Sequence, residues 1–102
     1  MCDKKPNVST PATARFSLGQ TVATPGALDL LDRTATDGFE LIKRHQCGDW
    51  GSVPPEDAEE NERSIDSGCR ILSSYFLNST ERLWIITEAD RSVTTLLLPD
   101  EY

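Results

Sequence analysis

Reactive side-chain types gather at one place in this chain, the segment His45-Gln46-Cys47-Gly48-Asp49-Trp50-Gly51. His45 is the sole histidine, Cys47 is a candidate nucleophile, and Asp49 is a candidate orienter or base. Cys–His chemistry needs the two groups in hydrogen-bond contact beside a shaped oxyanion site, and a spacing of two residues at a helix end does not supply that. A structural reading accounts for the same residues. His45 and Gln46 close a helix whose C-terminus favours a cation, Cys47 fills a small space, Trp50 packs against the core edge, and Gly48 and Gly51 allow a backbone reversal. The structural reading is preferred, and His45, Asp49 and Trp50 are kept as candidate binding residues for a small enzyme or ligand-binding alternative.

The other polar clusters read the same way. Glu59, Glu60 and Glu62 could do acid–base or metal work, yet a solvated helix face explains them. Asp90 and Arg91, in the turn Glu88-Ala89-Asp90-Arg91-Ser92, could form a recognition tip, but an Asx turn with Arg91 paired to Glu88 or Asp90 accounts for them as hairpin chemistry. A zinc site would have to draw on His45, Cys47, Cys69 and Asp49 or Cys2, with no C-x-x-C pair and no second histidine. No phosphate loop, nucleophile elbow or dinucleotide fingerprint occurs. No catalytic residue, metal or cofactor is therefore assigned.

Composition bounds the rest. The 102 residues suffice for one domain with a modest core. The net charge of −7 falls entirely on residues 56–102, where eleven acids face Arg63, Arg70, Arg82 and Arg91. Phosphate neutralisation needs the opposite sign, so direct nucleic-acid binding is disfavoured. No run reaches the roughly 18–20 apolar residues of a membrane span, and no apolar stretch follows the basic start, so a cytoplasmic location is expected. Cys2, Cys47 and Cys69 are then expected as free thiols.

The elements that must position these residues follow from periodicity and punctuation. Residues 1–14, rich in Ser, Thr, Pro and Ala, are expected as a disordered tail ahead of a single domain over 15–102. Phe16 to Val22 alternates weakly and suggests a short strand broken near Gly19. Thr24-Pro25 predicts a helix start and a helix to about Arg33, with Leu28 and Leu31 toward the core. Thr36-Asp37 caps a second helix over 37–46 with Phe39, Leu41 and Ile42 as its apolar face. Pro54-Pro55 opens a third through about Ser67, with Ala58, Asn61 and Ile65 inward and Glu56, Asp57, Glu59, Glu60, Glu62 and Asp66 outward. Runs at 70–77, 82–87 and 93–98, separated by turn residues, predict an antiparallel meander. The fold class is α+β: a three- or four-stranded antiparallel sheet packed by two or three N-terminal helices. Leu83-Trp84-Ile85-Ile86 is apolar on both faces, which predicts a central strand covered on both sides and makes a homodimer plausible.

The strings FSLGQTVATPGAL, RHQCGDWG, EDAEEN, RILSSY and WIITEADRSVTTLLLPDEY together resemble a family of small bacterial proteins carried on plasmids and other mobile elements and labelled plasmid-related, sometimes as a type I restriction subunit. The resemblance covers about residues 16–102. It implies a mobile-element context, with interference in or regulation of host defence and plasmid maintenance. It supplies no catalytic residue, and a methyltransferase or nuclease subunit would need motifs and length that this chain lacks. The expected function is a non-enzymatic interaction or regulatory module that presents an acidic face to a basic protein partner.

Overall fold

The computed structural model describes residues 14–102. The chain runs β1 (Gln20–Ala23), α1 (Pro25–Arg33), α2 (Gly38–Gln46), α3 (Pro55–Ser67), β2 (Ile71–Phe76), β3 (Arg82–Thr87), β4 (Val93–Leu97) and a final 3-10 turn, Pro99–Glu101. The class is α+β as expected, with helices in the N-terminal part and the sheet built mainly from the C-terminal part. The tail expected over residues 1–14 lies almost wholly outside the described residues.

Strand order in the sheet is β1-β4-β3-β2. The meander is antiparallel, but β1 lies parallel to β4, pairing Gln20 with Val93 and Ala23 with Leu96. The sheet is therefore mixed rather than wholly antiparallel. Turn chemistry fixes the direction of hairpin strands, whereas β1 reaches its neighbour only after three helices, so nothing local sets its sense. The strand also starts later than the alternation suggested. Gly19 holds φ +66°, and a Cβ there would stand 2.3 Å from the Ser92 carbonyl oxygen, so the chain bends at Gly19 and pairs only beyond it.

One sheet face carries the core. Ala27, Leu41, Ile42, Tyr75, Leu83, Ile85 and Leu96 form one buried cluster, with Tyr75 opposite Leu83 and Ile85 opposite Leu96 across the strands. Helices α1 and α2 supply its upper layer. Their buried positions correct the expected stripes: α1 buries Ala27 and Leu30 while Leu28 is 57% exposed, and α2 buries Leu41, Ile42 and His45 while Phe39 is 73% exposed. In helices this short, an apolar residue on each side of the stripe fits the pattern equally well. On the opposite sheet face Trp84 packs edge-on against Tyr102 at 5.8 Å, so the chain's own C-terminus contributes to covering the second side of β3.

The helix punctuation acts as anticipated. Thr24 caps α1 by accepting from Ala27 N at 3.1 Å. Asp37 caps α2 by accepting from Phe39 N at 3.0 Å, and Gly68 ends α3 in the left-handed region. Of the expected free thiols, Cys69 is unbonded and exposed. Cys47 is instead half of a disulfide, and Cys2 lies outside the described residues. No helix among the described residues is long and apolar enough to cross a membrane.

Candidate functional site: the His45 corner and the groove beside β1

Helix α2 delivers His45 onto the core face of the sheet, where it is wholly buried. Nδ1 lies 2.6 Å from Ser73 Oγ and Nε2 lies 2.9 Å from Thr87 Oγ1. Thr87 Oγ1 is in turn 2.8 Å from Thr94 Oγ1, and Thr94 donates to the Leu18 carbonyl at 2.8 Å. That last bond fixes the direction of the whole chain. Thr94 spends its proton on Leu18, so it accepts from Thr87. Thr87 then has its lone pairs for His45, and Nε2 carries the imidazole proton while Nδ1 accepts from Ser73. Every member is satisfied with the ring neutral. Burial agrees, since desolvation pushes the His45 pKa down from 6.5 to about 3.

Aromatic rings close over this network. Phe16 stands edge-on to His45 at 5.2 Å and Trp50 at 6.0 Å, and Phe16 stacks on Trp50 at 6.2 Å. The geometry gives His45 no route to a substrate and no protonation change in the neutral range. Its histidine chemistry is spent inside the fold.

Asp49 does not orient it. Its carboxylate accepts from Arg44 Nε at 2.7 Å and from Gly51 N at 3.2 Å, and its carbonyl accepts from the Tyr75 hydroxyl at 2.5 Å. Burial pushes the Tyr75 hydroxyl pKa well above its usual value. Gly51 holds φ +75°, and a Cβ there would stand 2.0 Å from the Ser74 carbonyl oxygen. The reversal thus needs glycine for space as well as conformation. Trp50 donates from Nε1 to Glu62 at 3.1 Å, and Arg15 grips the same carboxylate with two bonds, at 2.7 and 3.1 Å. That contact holds the Glu62 carboxyl below its usual pKa.

The remaining sequence candidates separate. Glu60 pairs with Arg63 at 2.7 Å, and Glu59 is exposed. Asp90 forms the expected Asx turn, accepting from Ser92 N at 3.0 Å and Ser92 Oγ at 2.6 Å. Arg91 adopts φ +61°. It donates to the carbonyls of Cys69, Glu88, Ala89 and Ser64 at 2.8, 3.0, 3.2 and 2.7 Å. The expected pairing with the Glu88 or Asp90 carboxylate gives way to a clamp that ties the hairpin to the C-terminal end of α3. Carbonyl oxygens at a helix C-terminus attract a cation.

Sequence reasoning did not find the residues beside β1. There a cavity of about 320 Å³ opens between the strand edge, α1 and the N-terminal half of α2, walled by Val22, Ala23, Leu28, Leu31, Phe39 and Ile42. Val22, Leu28 and Phe39 are three of the five large apolar side chains left exposed among the described residues. Asp37 also lines it, but that carboxylate caps α2. The available signal was the surplus of apolar positions in α1 and α2 over what one helix face can bury. No three or more His, Cys, Asp or Glu residues cluster in a metal-holding arrangement among the described residues.

Comparison of the chain with models of known protein families, with curated proteins and with solved structures finds no match.

Proposed function

We propose that this protein is a non-enzymatic interaction module acting on a basic protein partner. One observation carries the reading: the only histidine is sealed with both nitrogens engaged, while the cavity beside β1 is apolar. A reaction centre needs its acid, base or nucleophile where substrate can reach it. A recognition surface needs accessible apolar area and a directing field. The second description fits these residues better.

The field comes from α3. Glu56, Asp57, Glu59 and Asp66 are exposed on its outer side, with no cation within ion-pair distance among the described residues, whereas Glu60 is held by Arg63 and Glu62 by Arg15. Such a surface attracts a basic partner and speeds its encounter at low salt. The resemblance to plasmid-borne proteins favours a host factor of defence or plasmid maintenance as that partner.

The test reverses charge where the side chains are free. Glu56, Asp57 and Glu59 are each changed to Lys, leaving Glu62 in its contact with Arg15 and Trp50. Capture from host lysate by wild type and by the triple variant is compared at low and high salt, with thermal melts as control. The reading requires that wild type retain basic proteins at low salt, and that the triple variant lose them while melting normally. Identical capture under all four conditions would overturn it.

A further inference from the structure

We infer that the β1 edge and its apolar groove bind an extended, basic segment of another protein, which adds as a strand beside β1 and seats an apolar side chain in the cavity. This deepens the proposed interaction module and rests on that reading.

The main-chain argument comes from register. Gln20 N donates to Ser92 O at 3.0 Å and Thr24 N donates to Leu96 O at 3.0 Å. In a parallel ladder the inward-pointing residues alternate, so the peptide groups of Thr21 and Ala23 face away from β4. Among the described residues no strand lies beyond β1 in the sheet order. The other edge is closed, because Asn61 bonds both main-chain groups of Leu72 and the segment at Trp50–Ser52 bonds those of Ser74. Exposed edges are usually blunted by charge, proline or cover. This protein treats β2 that way, whereas β1, whose residues are Gln-Thr-Val-Ala, has no such cover among the described residues.

The side-chain argument comes from what flanks that edge. Thr21, Val22 and Ala23 of the strand line the cavity together with Leu28 of α1 and Phe39 of α2. An incoming strand would therefore place alternate side chains over the cavity while its backbone pairs with Thr21 and Ala23, the combination that edge-adding recognition uses.

Charge selects the occupant. Asp37 lines the groove, and Asp32 is exposed one turn beyond Leu28 on the same side of α1. Neither has a cation within ion-pair distance among the described residues. The neighbouring cations are already neutralised, Arg33 by Asp29 at 2.8 Å and Glu81 at 3.1 Å, and Lys43 by Glu40 at 3.5 Å. A second copy of this chain would bring the same two carboxylates against the first and is disfavoured. A segment carrying Lys or Arg two positions from its apolar anchor, so that both side chains project to the groove face, is complementary at both levels.

The experiment titrates the full chain, isotopically labelled, with three synthetic peptides: a Lys–Val peptide of repeating Val-Thr-Lys-Thr, which puts Val and Lys on one face, a Glu–Val peptide with Glu in place of each Lys, and the Lys–Val peptide interrupted by proline. The Lys–Val peptide is expected to shift the amide resonances of Thr21, Ala23 and Phe39 and to slow exchange of the Thr21 and Ala23 amides. The Glu–Val and proline peptides should bind at least about tenfold more weakly. Thr21→Pro removes an outward N–H without touching the β4 ladder, a placement edge strands tolerate, and should abolish binding. Phe39→Ser changes an exposed side chain and should weaken binding with an unchanged melt, which keeps the proposal open to refutation if Thr21→Pro fails to fold. Shifts elsewhere on the surface, equal binding of the Glu–Val peptide, or concentration-dependent shifts at Thr21 and Ala23 without peptide would each overturn the proposal, the last in favour of a second copy. If capture by the acidic face of α3 persists in Phe39→Ser while no peptide binds, the groove assignment falls and the interaction module stands.

Discussion

The side-chain amide of Asn61 bonds both main-chain groups of Leu72, donating from Nδ2 to the carbonyl at 2.7 Å and accepting from the N–H at 3.1 Å. The carboxamide stands where a fifth strand would offer a peptide group. Asn61 is 4% exposed, so removing its amide leaves two backbone groups short of partners. Asn61→Leu should cost about 1–3 kcal/mol and raise the tendency to associate through β2. Chemical denaturation and light scattering on the variant check both; an unchanged midpoint would show that the edge is closed by other means.

His45 should be indispensable to the fold rather than to any reaction. His45→Ala strands the Ser73 and Thr87 hydroxyls in a buried site and opens a cavity, with an expected loss of about 2–5 kcal/mol. Replacing the network as a unit, with His45→Leu, Ser73→Ala and Thr87→Val together, should recover part of that loss, because polar groups removed in pairs leave fewer unsatisfied partners. Equilibrium unfolding of the single and triple variants separates these outcomes. From the sequence alone His45 reads as a helix-end cation whose replacement by Ala the fold would tolerate; its full burial reverses that expectation.

Stability should also depend on pH through this ring. Its folded pKa of about 3 lies below its ordinary 6.5, so the unfolded chain binds the proton first as pH falls. Its contribution is complete above about 6.5 and declines toward 3, at roughly 1.4 kcal/mol per pH unit at most. Glu62, Glu81 and Glu101 also have depressed pKa values, held down by Arg15, Arg33 and Thr24 respectively. They start from about 4.5 and lose their contribution below it. Because such carboxylates begin to take up protons about one pH unit above that value in the unfolded chain, the interval between about pH 5.5 and 6.5 isolates His45. A denaturation midpoint that slopes there in wild type and is flat in the triple variant is the expected result, and equal slopes would contradict it.

Arg91 should act as a structural clamp. Arg91→Ala removes four bonds to carbonyl oxygens and should destabilise by about 2 kcal/mol, within the range for charged hydrogen bonds. Arg91→Lys keeps the charge but not the planar fork and should recover only part of this. Hydrogen exchange at the Gly68 amide, which bonds to Ser64 O at 2.9 Å, is the local readout. Faster exchange confined to the C-terminal end of α3 and the hairpin is expected.

Two apolar residues should behave oppositely. Ile85 is wholly buried on the central strand and Phe39 is 73% exposed. Ile85→Ala should cost about 2–5 kcal/mol, whereas Phe39→Ser should stay within about 0.5 kcal/mol. Thermal melts of the pair distinguish core from docking surface directly.

The elements of this fold were legible in the sequence because their causes are local. Thr24-Pro25, Asp37, Pro54-Pro55 and Gly68 set helix ends through hydrogen bonds and torsions within a few residues. The β-branched runs and turn residues of 70–98 set the meander likewise. Charge distribution, which requires no structure, pointed to the acidic face of α3. What depended on distant residues was not legible. The sense of β1, the diversion of Glu62 to Arg15 and Trp50, the reach of Arg91 to the Ser64 and Cys69 carbonyls and the exposure of Leu28 and Phe39 each involve partners 12 to 73 positions away or a choice between two faces of a short helix. His45 is the sharpest case. Its type suggested chemistry and its position suggested a helix dipole, but only the packing of α2 against β2, β3 and β4 brought Ser73, Thr87 and Thr94 into one hydrogen-bonded line. Desolvation in that tertiary setting, a property no single segment possesses, is what turned a possible catalyst into a neutral part of the core.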